Sequence, residues 1–255
     1  MSEVRAKKFL GQHFLTDESI ARRIVESLST ETEHLLEIGP GMGVLTKYLV
    51  GNERLDFRVI EIDRESVAYL HDHYPTLQVI EGDFLRYDLE HLFGAPYAII
   101  GNFPYNISSQ ILFRVFDQRQ RVTEVVGMFQ KEVAERVAAG PGSKTYGILS
   151  VLLSAFYTIE YLFTVPEHVF NPPPKVKSAV IRLRRNDTER LDCNEQLLVR
   201  VVKAGFNQRR KTLRNALRQL GMPLDVVPEE LLAKRAEQLS VDEFVCISKA
   251  IESCQ

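Results

Sequence analysis

His34-Leu35-Leu36-Glu37-Ile38-Gly39-Pro40-Gly41-Met42-Gly43-Val44-Leu45-Thr46 is the stretch that decides how this chain folds. A short apolar run enters glycines at alternate positions, and Leu45, Tyr48 and Leu49 then fall at helical spacing. That pattern predicts a buried strand, a tight turn and a helix, the first β–α step of a parallel sheet. Outward from it, the next apolar runs also end in polar groups. Phe57 to Ile62 carries Glu61 and Asp63 at its end, and Leu77 to Ile80 runs into Glu81-Gly82-Asp83. Tyr97 to Ile100 runs into Gly101-Asn102-Phe103-Pro104-Tyr105-Asn106. Strands and helices alternate at a spacing that implies parallel βαβ units, so the predicted class is α/β. Open sheets of this kind bind ligands at the carboxyl ends of their strands.

The glycine spacing is Gly-x-Gly-x-Gly, not the GxGxxG that brings a backbone close to pyrophosphate. Glu37 and Asp83 add negative charge around the expected pocket, which disfavours a phosphate chain. An acid about 20 residues past the glycine turn suits ribose hydroxyls, and Asp83 suits an adenine amino group. A cationic ligand with an adenosine end fits this set, and S-adenosylmethionine is one. The plain alternative is a β–α turn that binds nothing. The Asn102-Phe103-Pro104-Tyr105 tetrad suits a flat, amino-bearing ring. The ring would stack on Tyr105 while its exocyclic NH donates to Asn102 and to the Pro104 carbonyl. The competing reading is an Asx-type turn before a helix, with Tyr105 packed in the core. Ser108 or Ser109 is placed to cap the helix that follows.

With 255 residues, 45% of them hydrophobic, the chain holds one large domain or a main domain with a small appendage. A net charge of −2 confines any nucleic-acid surface to a local patch. Cys193, Cys246 and Cys254 are scattered, which argues for a reducing compartment and against a structural metal site. No membrane span is expected, since Glu160 interrupts the greasiest run, Leu149 to Phe163. The basic amino terminus has no apolar segment behind it, so the expected compartment is the cytoplasm. Arg5 to Leu15 interleaves basic and aromatic residues and reads as an ordered arm over a ligand, followed by a helix capped at Thr16 or Asp17. Further on, Glu124 to Phe129 reads as a strand, Lys131 to Ala139 as a helix and Gly140 to Lys144 as a rim loop. Phe156 to Val165 and Ser178 to Arg184 read as strands. Between these two, Pro172, Pro173 and Pro174 stiffen a loop on which Phe170 is either a second stacking wall or a packed aromatic. The polar stretch Asn186 to Arg190 marks a boundary, giving a main domain over 1–186 and a helical one over 187–255. In the latter, Arg210, Arg214 and Arg218 share a face, and no acid falls between Gln196 and Leu224. That run reads as a phosphate-contacting surface, with a plain solvated face as the alternative.

Five motifs together resemble the ribosomal RNA adenine N6-dimethyltransferases, in the form that acts on the small subunit. They are Lys8-Phe9-Leu10-Gly11-Gln12-His13-Phe14-Leu15, Glu37 to Gly43, Asn102 to Ser108, Phe170 to Val176, and Phe206 to Asn215. The resemblance implies a Rossmann-like class I methyltransferase fold, with a mostly parallel seven-stranded sheet and a small all-helical C-terminal domain. It implies S-adenosylmethionine held by His13, Leu15, Gly39, Gly41, Glu61, Asp83 and Asn102, with His13 where the family usually has asparagine. Asn102, Pro104, Tyr105 and Phe170 would act on the target adenine. Lys7, Lys8, Arg209, Arg210, Lys211, Arg214 and Arg218 would contact RNA. The implied reaction is dimethylation of two adjacent adenosines near the 3′ end of small-subunit RNA. The implied partner is a precursor of that subunit, met by a monomer. Two other readings share parts of the pattern: an adenine methyltransferase acting on large-subunit RNA or DNA, and a non-catalytic assembly or transcription factor.

Overall fold

A computed structural model describes residues 4–254. Seven strands form one sheet. They are β1 (His34–Ile38), β2 (Asp56–Glu61), β3 (Gln78–Glu81), β4 (Tyr97–Asn102), β5 (Val122–Gln130), β6 (Tyr157–Val165) and β7 (Ser178–Arg185). Their spatial order is β3-β2-β1-β4-β5-β7-β6. β1 runs parallel to β2 and β4, β2 to β3, and β4 to β5, whereas β7 returns antiparallel to β5. Leu35, Leu36, Ile99 and Ile100 have no exposure, as expected for strands covered on both faces.

The chain leaves β1 in one direction and later resumes on its other side at β4, which creates a crevice at the carboxyl edge. Register decides what stands there. Glu37 lies opposite both Val59 and Ile100, so Gly39, Glu61 and Asn102, each two residues on, emerge level with one another. Glu61 pairs with Glu81, which puts Asp83 two residues past the same edge.

Among the described residues, α1 (Glu18–Val25), α2 (Arg64–His73) and α3 (Ser108–Asp117) belong to this part of the chain, and α4 (Lys131–Val137) begins in it. Asp17 caps α1, accepting the N–H groups of Ser19 (2.9 Å) and Ile20 (3.2 Å). The helix expected after the glycine turn does not form; only a single 3-10 turn, Thr46–Tyr48, follows. Gly41 and Gly43 sit at φ +57° and +81°, left-handed conformations that no α-helix continues through. Nor does a serine cap α3: the Ser108 hydroxyl instead donates back to the Pro104 carbonyl at 3.0 Å. A two-residue antiparallel pairing, Phe14–Leu15 with Phe170–Asn171, ties the amino-terminal arm to the proline-rich loop.

Contacts divide the chain into two compact units, one up to Ala134 plus Ile159–Arg185, the other Glu135–Thr158 plus the chain from Asn186 onward. The second is helical: α5 (Ile148–Ser154), α6 (Glu195–Asn207), α7 (Leu213–Arg218), α8 (Glu229–Ala233) and α9 (Val241–Glu252). α6 packs against α5, α7 and α9, burying Leu197, Leu198, Val201 and Val202. This unit thus includes a segment from the middle of the chain as well as the tail. The loop expected at the pocket rim falls here. The Gly142 N–H donates to the Glu237 carbonyl at 2.7 Å, and Arg209 donates to the Lys144 carbonyl. Among the described residues, no helix is long and apolar enough to cross a membrane.

Candidate active site

Two adjoining cavities open at the carboxyl edge of the first unit's sheet, sharing Phe14, Gly39, Gly41 and Asn102 as walls. One runs between the arm residues Leu10 to Phe14, the strand ends at Glu61 and Asp83, and the tetrad through Tyr105. The other continues along the glycine turn past Leu15 and Glu37. All seven residues expected to hold the cofactor line one or the other.

Glu61 is buried and bridges two loops. Its Oε2 accepts the Gly41 N–H (3.1 Å) and its Oε1 the Asp63 N–H (2.8 Å). Burial, partly offset by these bonds, raises its pKa above the usual range. Glu37 is deeper, with one bond from Thr46 Oγ1 at 2.6 Å. Burial, and secondarily the nearby Glu61 charge, pushes its pKa up to about 8. Gly41 leaves no room for a side chain: a Cβ there would meet the Phe14 ring at 2.9 Å.

The arm is fastened to the strand ends. Asp63 caps α2 and also accepts bonds from Lys7 Nζ, Ser66 Oγ (3.1 Å) and Gln12 Nε2 (3.4 Å). Burial works against its charge, but these bonds hold the Asp63 carboxyl below its usual range. Lys7 also pairs with Glu65 at 3.1 Å. Lys7 therefore anchors the arm rather than facing RNA as expected; Lys8 stays exposed. Asp63 and Gln12 did not figure among the expected site residues. Asp63 stood visible at a strand end, but nothing in the sequence links it to Lys7, 56 positions away.

The tetrad shows how its groups are used. Asn102 Nδ2 donates to the His13 carbonyl at 2.9 Å, an assignment that leaves Oδ1 as an acceptor. The Pro104 carbonyl, expected to receive the substrate's amino hydrogen, already accepts from Ser108 Oγ (3.0 Å) and the Ile107 N–H (3.3 Å). Both lone pairs are thus engaged, while the Phe103 carbonyl accepts no bond among the described residues. The Tyr105 hydroxyl bonds to Ser178, and the ring stacks on His13 with centroids 5.2 Å apart and planes 27° off parallel. His13 Nδ1 lies 2.7 Å from the Pro172 carbonyl, which accepts only if that nitrogen carries the proton. Phe170 is 3% exposed and packs in the core with Leu15 and Val169, so the structure does not present it as an open stacking wall. Beneath the tetrad, a Cβ on Gly127 would meet the Phe103 ring at 2.1 Å, a support that its place mid-strand gave no reason to single out.

The basic run of the second unit does not form one helix. α6 ends at Asn207, Gln208 to Thr212 turn, and α7 begins at Leu213. Arg209 pairs with Glu237 at 2.6 Å and Arg214 with Glu229, whereas Arg210, Lys211 and Arg218 are exposed without an acidic partner among the described residues. Also among them, no group of His, Cys, Asp and Glu is arranged to hold a metal ion.

The first cavity has acidic strand ends and no lysine or arginine in its wall. Carboxylates there suit ribose hydroxyls and an amino group and repel a phosphate chain. A cleft of this charge, at this edge of a sheet in this order, belongs to the S-adenosylmethionine-dependent methyltransferases. Residues 3–252 match the family model described as ribosomal RNA adenine dimethylase. The chain is similar to the ribosomal RNA small subunit methyltransferase A of Cytophaga hutchinsonii, 59% identical, with 96% of each chain covered. It is 56% identical to that of Bacteroides thetaiotaomicron, covering 99% of this chain and 96% of the relative. Among solved structures it resembles a dimethyladenosine transferase from Plasmodium falciparum (TM-score 0.76, 26% identity, covering 92% and 96% of the two chains). The 23S rRNA methyltransferase ErmE shares the fold (TM-score 0.72, 23% identity, 93% and 99% covered). The chain therefore belongs to the ribosomal RNA adenine dimethylase family, as an S-adenosylmethionine-dependent rRNA adenine dimethyltransferase.

Proposed function

We propose that this protein dimethylates N6 of two adjacent adenosines near the 3′ end of small-subunit ribosomal RNA. It acts as a monomer on a precursor of that subunit, in the cytoplasm. The observation that carries the reading is Asn102 at the cleft, one Nδ2–H donating to the His13 carbonyl at 2.9 Å, which leaves its carboxamide oxygen to accept an amino hydrogen.

S-adenosylmethionine, when bound, supplies a methyl group activated by a positive sulfur. Glu61 and Asp83 would hold its ribose and adenine, Gly39 and Gly41 would let it lie against the backbone, and Leu15 and His13 would close the arm side. On the substrate side, the adenine nitrogen is a poor nucleophile because its lone pair is delocalised into the ring. Asn102 Oδ1, together with a main-chain carbonyl, accepts its hydrogens and favours a pyramidal nitrogen. Of the two carbonyls in reach of that task, Phe103's is the one with no donor among the described residues. The interaction strengthens as positive charge develops on nitrogen, so it favours the transition state over the ground state. Tyr105 would hold the base out of its stack; burial raises its phenol pKa further, despite the bond to Ser178. The adenine nitrogen would bond the methyl carbon as its bond to sulfur breaks, leaving neutral S-adenosylhomocysteine, and the nitrogen would release one proton to water. The exposed Lys8, Arg210, Lys211 and Arg218 contact phosphates, while Arg209 and Arg214 become available by exchanging their surface ion pairs, which are weak.

Transfer of labelled methyl to undermethylated small subunits, with nucleoside analysis, tests this directly. Neighbouring dimethyladenosines are the expected product. Asn102→Ala should abolish transfer while S-adenosylmethionine affinity falls less; near-normal turnover in that variant would sink the mechanism.

A further inference from the structure

Phe9 stands apart from every other aromatic side chain of the first unit, with 77% of its surface exposed. Its backbone is nevertheless well held. Lys8–Leu10 form a 3-10 turn closed by Gly11 at φ +67°, whose N–H returns to the Lys8 carbonyl at 3.1 Å. The Lys7 N–H donates to Gln12 Oε1 at 2.8 Å, and the Lys7 side chain is tied to Asp63. The turn lies directly on Asn106, the residue after Tyr105: a Cβ on Gly11 would meet Asn106 Oδ1 at 2.6 Å. Leu10 and Gly11 wall the substrate end of the cleft, but Phe9 does not. A bonded turn thus carries an aromatic ring into solvent one residue from the cleft that receives the target adenine.

Charge on the same segments bears on the partner. Arg5 and Lys8 precede Phe9 in the chain by four residues and one, and Lys175 and Lys177 follow the Phe170–Asn171 pair that bonds to the arm. All four are exposed, with no acidic partner among the described residues. Unpaired lysine and arginine on a segment that also exposes an aromatic ring form the combination that binds single-stranded nucleic acid, charge on the backbone and stacking on a base. We propose that Phe9 is a stacking platform for the nucleotide next to the adenosine held at Asn102 and Tyr105. The assignment rests on the small-subunit RNA reading above. It explains how a substrate with two adjacent targets is gripped: while one base enters the cleft, its neighbour is unstacked from it and needs a face to lie on.

The test uses the full chain and undermethylated small subunits, comparing Phe9→Ala, Phe9→Leu and Phe9→Trp. A base–aromatic stack of ordinary strength corresponds to at least about fivefold in affinity. Phe9→Ala should therefore raise the KM for subunits by about that factor or more, and S-adenosylmethionine affinity should stay at the wild-type value. Phe9→Trp should restore KM, and Phe9→Leu, apolar but without a π face, should not. A KM for Phe9→Ala within twofold of wild type, or full rescue by leucine, would overturn the stacking role. A parallel loss of S-adenosylmethionine affinity would also overturn it, because the arm itself would then have come away. If the wild-type protein transfers no methyl to small subunits, the substrate reading falls, and the platform with it.

Discussion

Glu37 and Gly127 show how much of this site rests on single residues outside the tetrad. Glu37 is 1% exposed, and its pKa is pushed up to about 8 from 4.5 by burial, with the Glu61 charge adding to it. Between those two values the folded protein holds a proton that the unfolded chain releases, so stability falls as pH rises across that window. Glu37→Gln removes the titration. Urea unfolding at pH 5.5 and 8.5 should show the wild type losing more stability than the variant between the two; parallel losses would contradict the assignment. Gly127 acts by leaving room. A methyl there would drive into the Phe103 ring, which cannot move without displacing its neighbours Asn102 and Pro104. Gly127→Ala should fold with reduced stability and lose methyl transfer by tenfold or more, on the order of 1.4 kcal/mol in the barrier. Full activity would show that the ring has another place to go. The glycine run and the tetrad are legible in the sequence, because their chemistry depends on residue type. Gly127 is not, because its role depends on what lies across the sheet.

At the scale of elements, the arm and α2 share one residue. Asp63 caps the helix through Glu65 and receives Lys7 and Gln12 from the arm. Two substitutions separate these duties. Asp63→Ala removes both, and should cost about 1 kcal/mol of stability through the missing cap. Asp63→Asn keeps a capping oxygen and gives up the charge that holds Lys7. It should leave stability nearly unchanged while amide exchange over residues 7–13 speeds up and S-adenosylmethionine binding weakens. Unaltered exchange in the asparagine variant would mean that the Phe14–Leu15 pairing alone holds the arm. The arm was readable as ordered because Phe14 and Leu15 are too apolar for a frayed end, and both are held by the proline-rich loop, whereas Phe9 stays exposed. The arm's anchor was not readable. The missing helix after the glycine turn has the opposite cause: Leu45, Tyr48 and Leu49 have helical spacing, but the left-handed glycines before them prevent a regular start.

At the scale of the whole molecule, the basic run of the second unit tests whether charge placement matches the RNA reading. Arg210 and Lys211 project from the turn between α6 and α7 without acidic partners among the described residues, so replacing them removes phosphate-binding charge and breaks no described ion pair. The double variant Arg210→Ala/Lys211→Ala should bind small subunits more weakly. The slope of log affinity against log salt should drop by about 1 for each phosphate no longer neutralised, with S-adenosylmethionine binding unaffected. An unchanged slope would mean that these residues face solvent in the complex. The sequence by itself determined the α/β class, the strand ends that line the cleft and the Asn102–Tyr105 tetrad proposed to receive an amino group. These follow from short-range patterns, namely apolar runs, glycine spacing and polar groups where strands stop. Tertiary structure alone decided which groups remain free to act. It turned the Asn102 amide by means of His13 and engaged the Pro104 carbonyl with Ser108. It drew Lys7 onto Asp63 and buried Phe170 beside Leu15. Hydrogen bonds and packing join residues distant in the chain, and a local pattern carries no record of them.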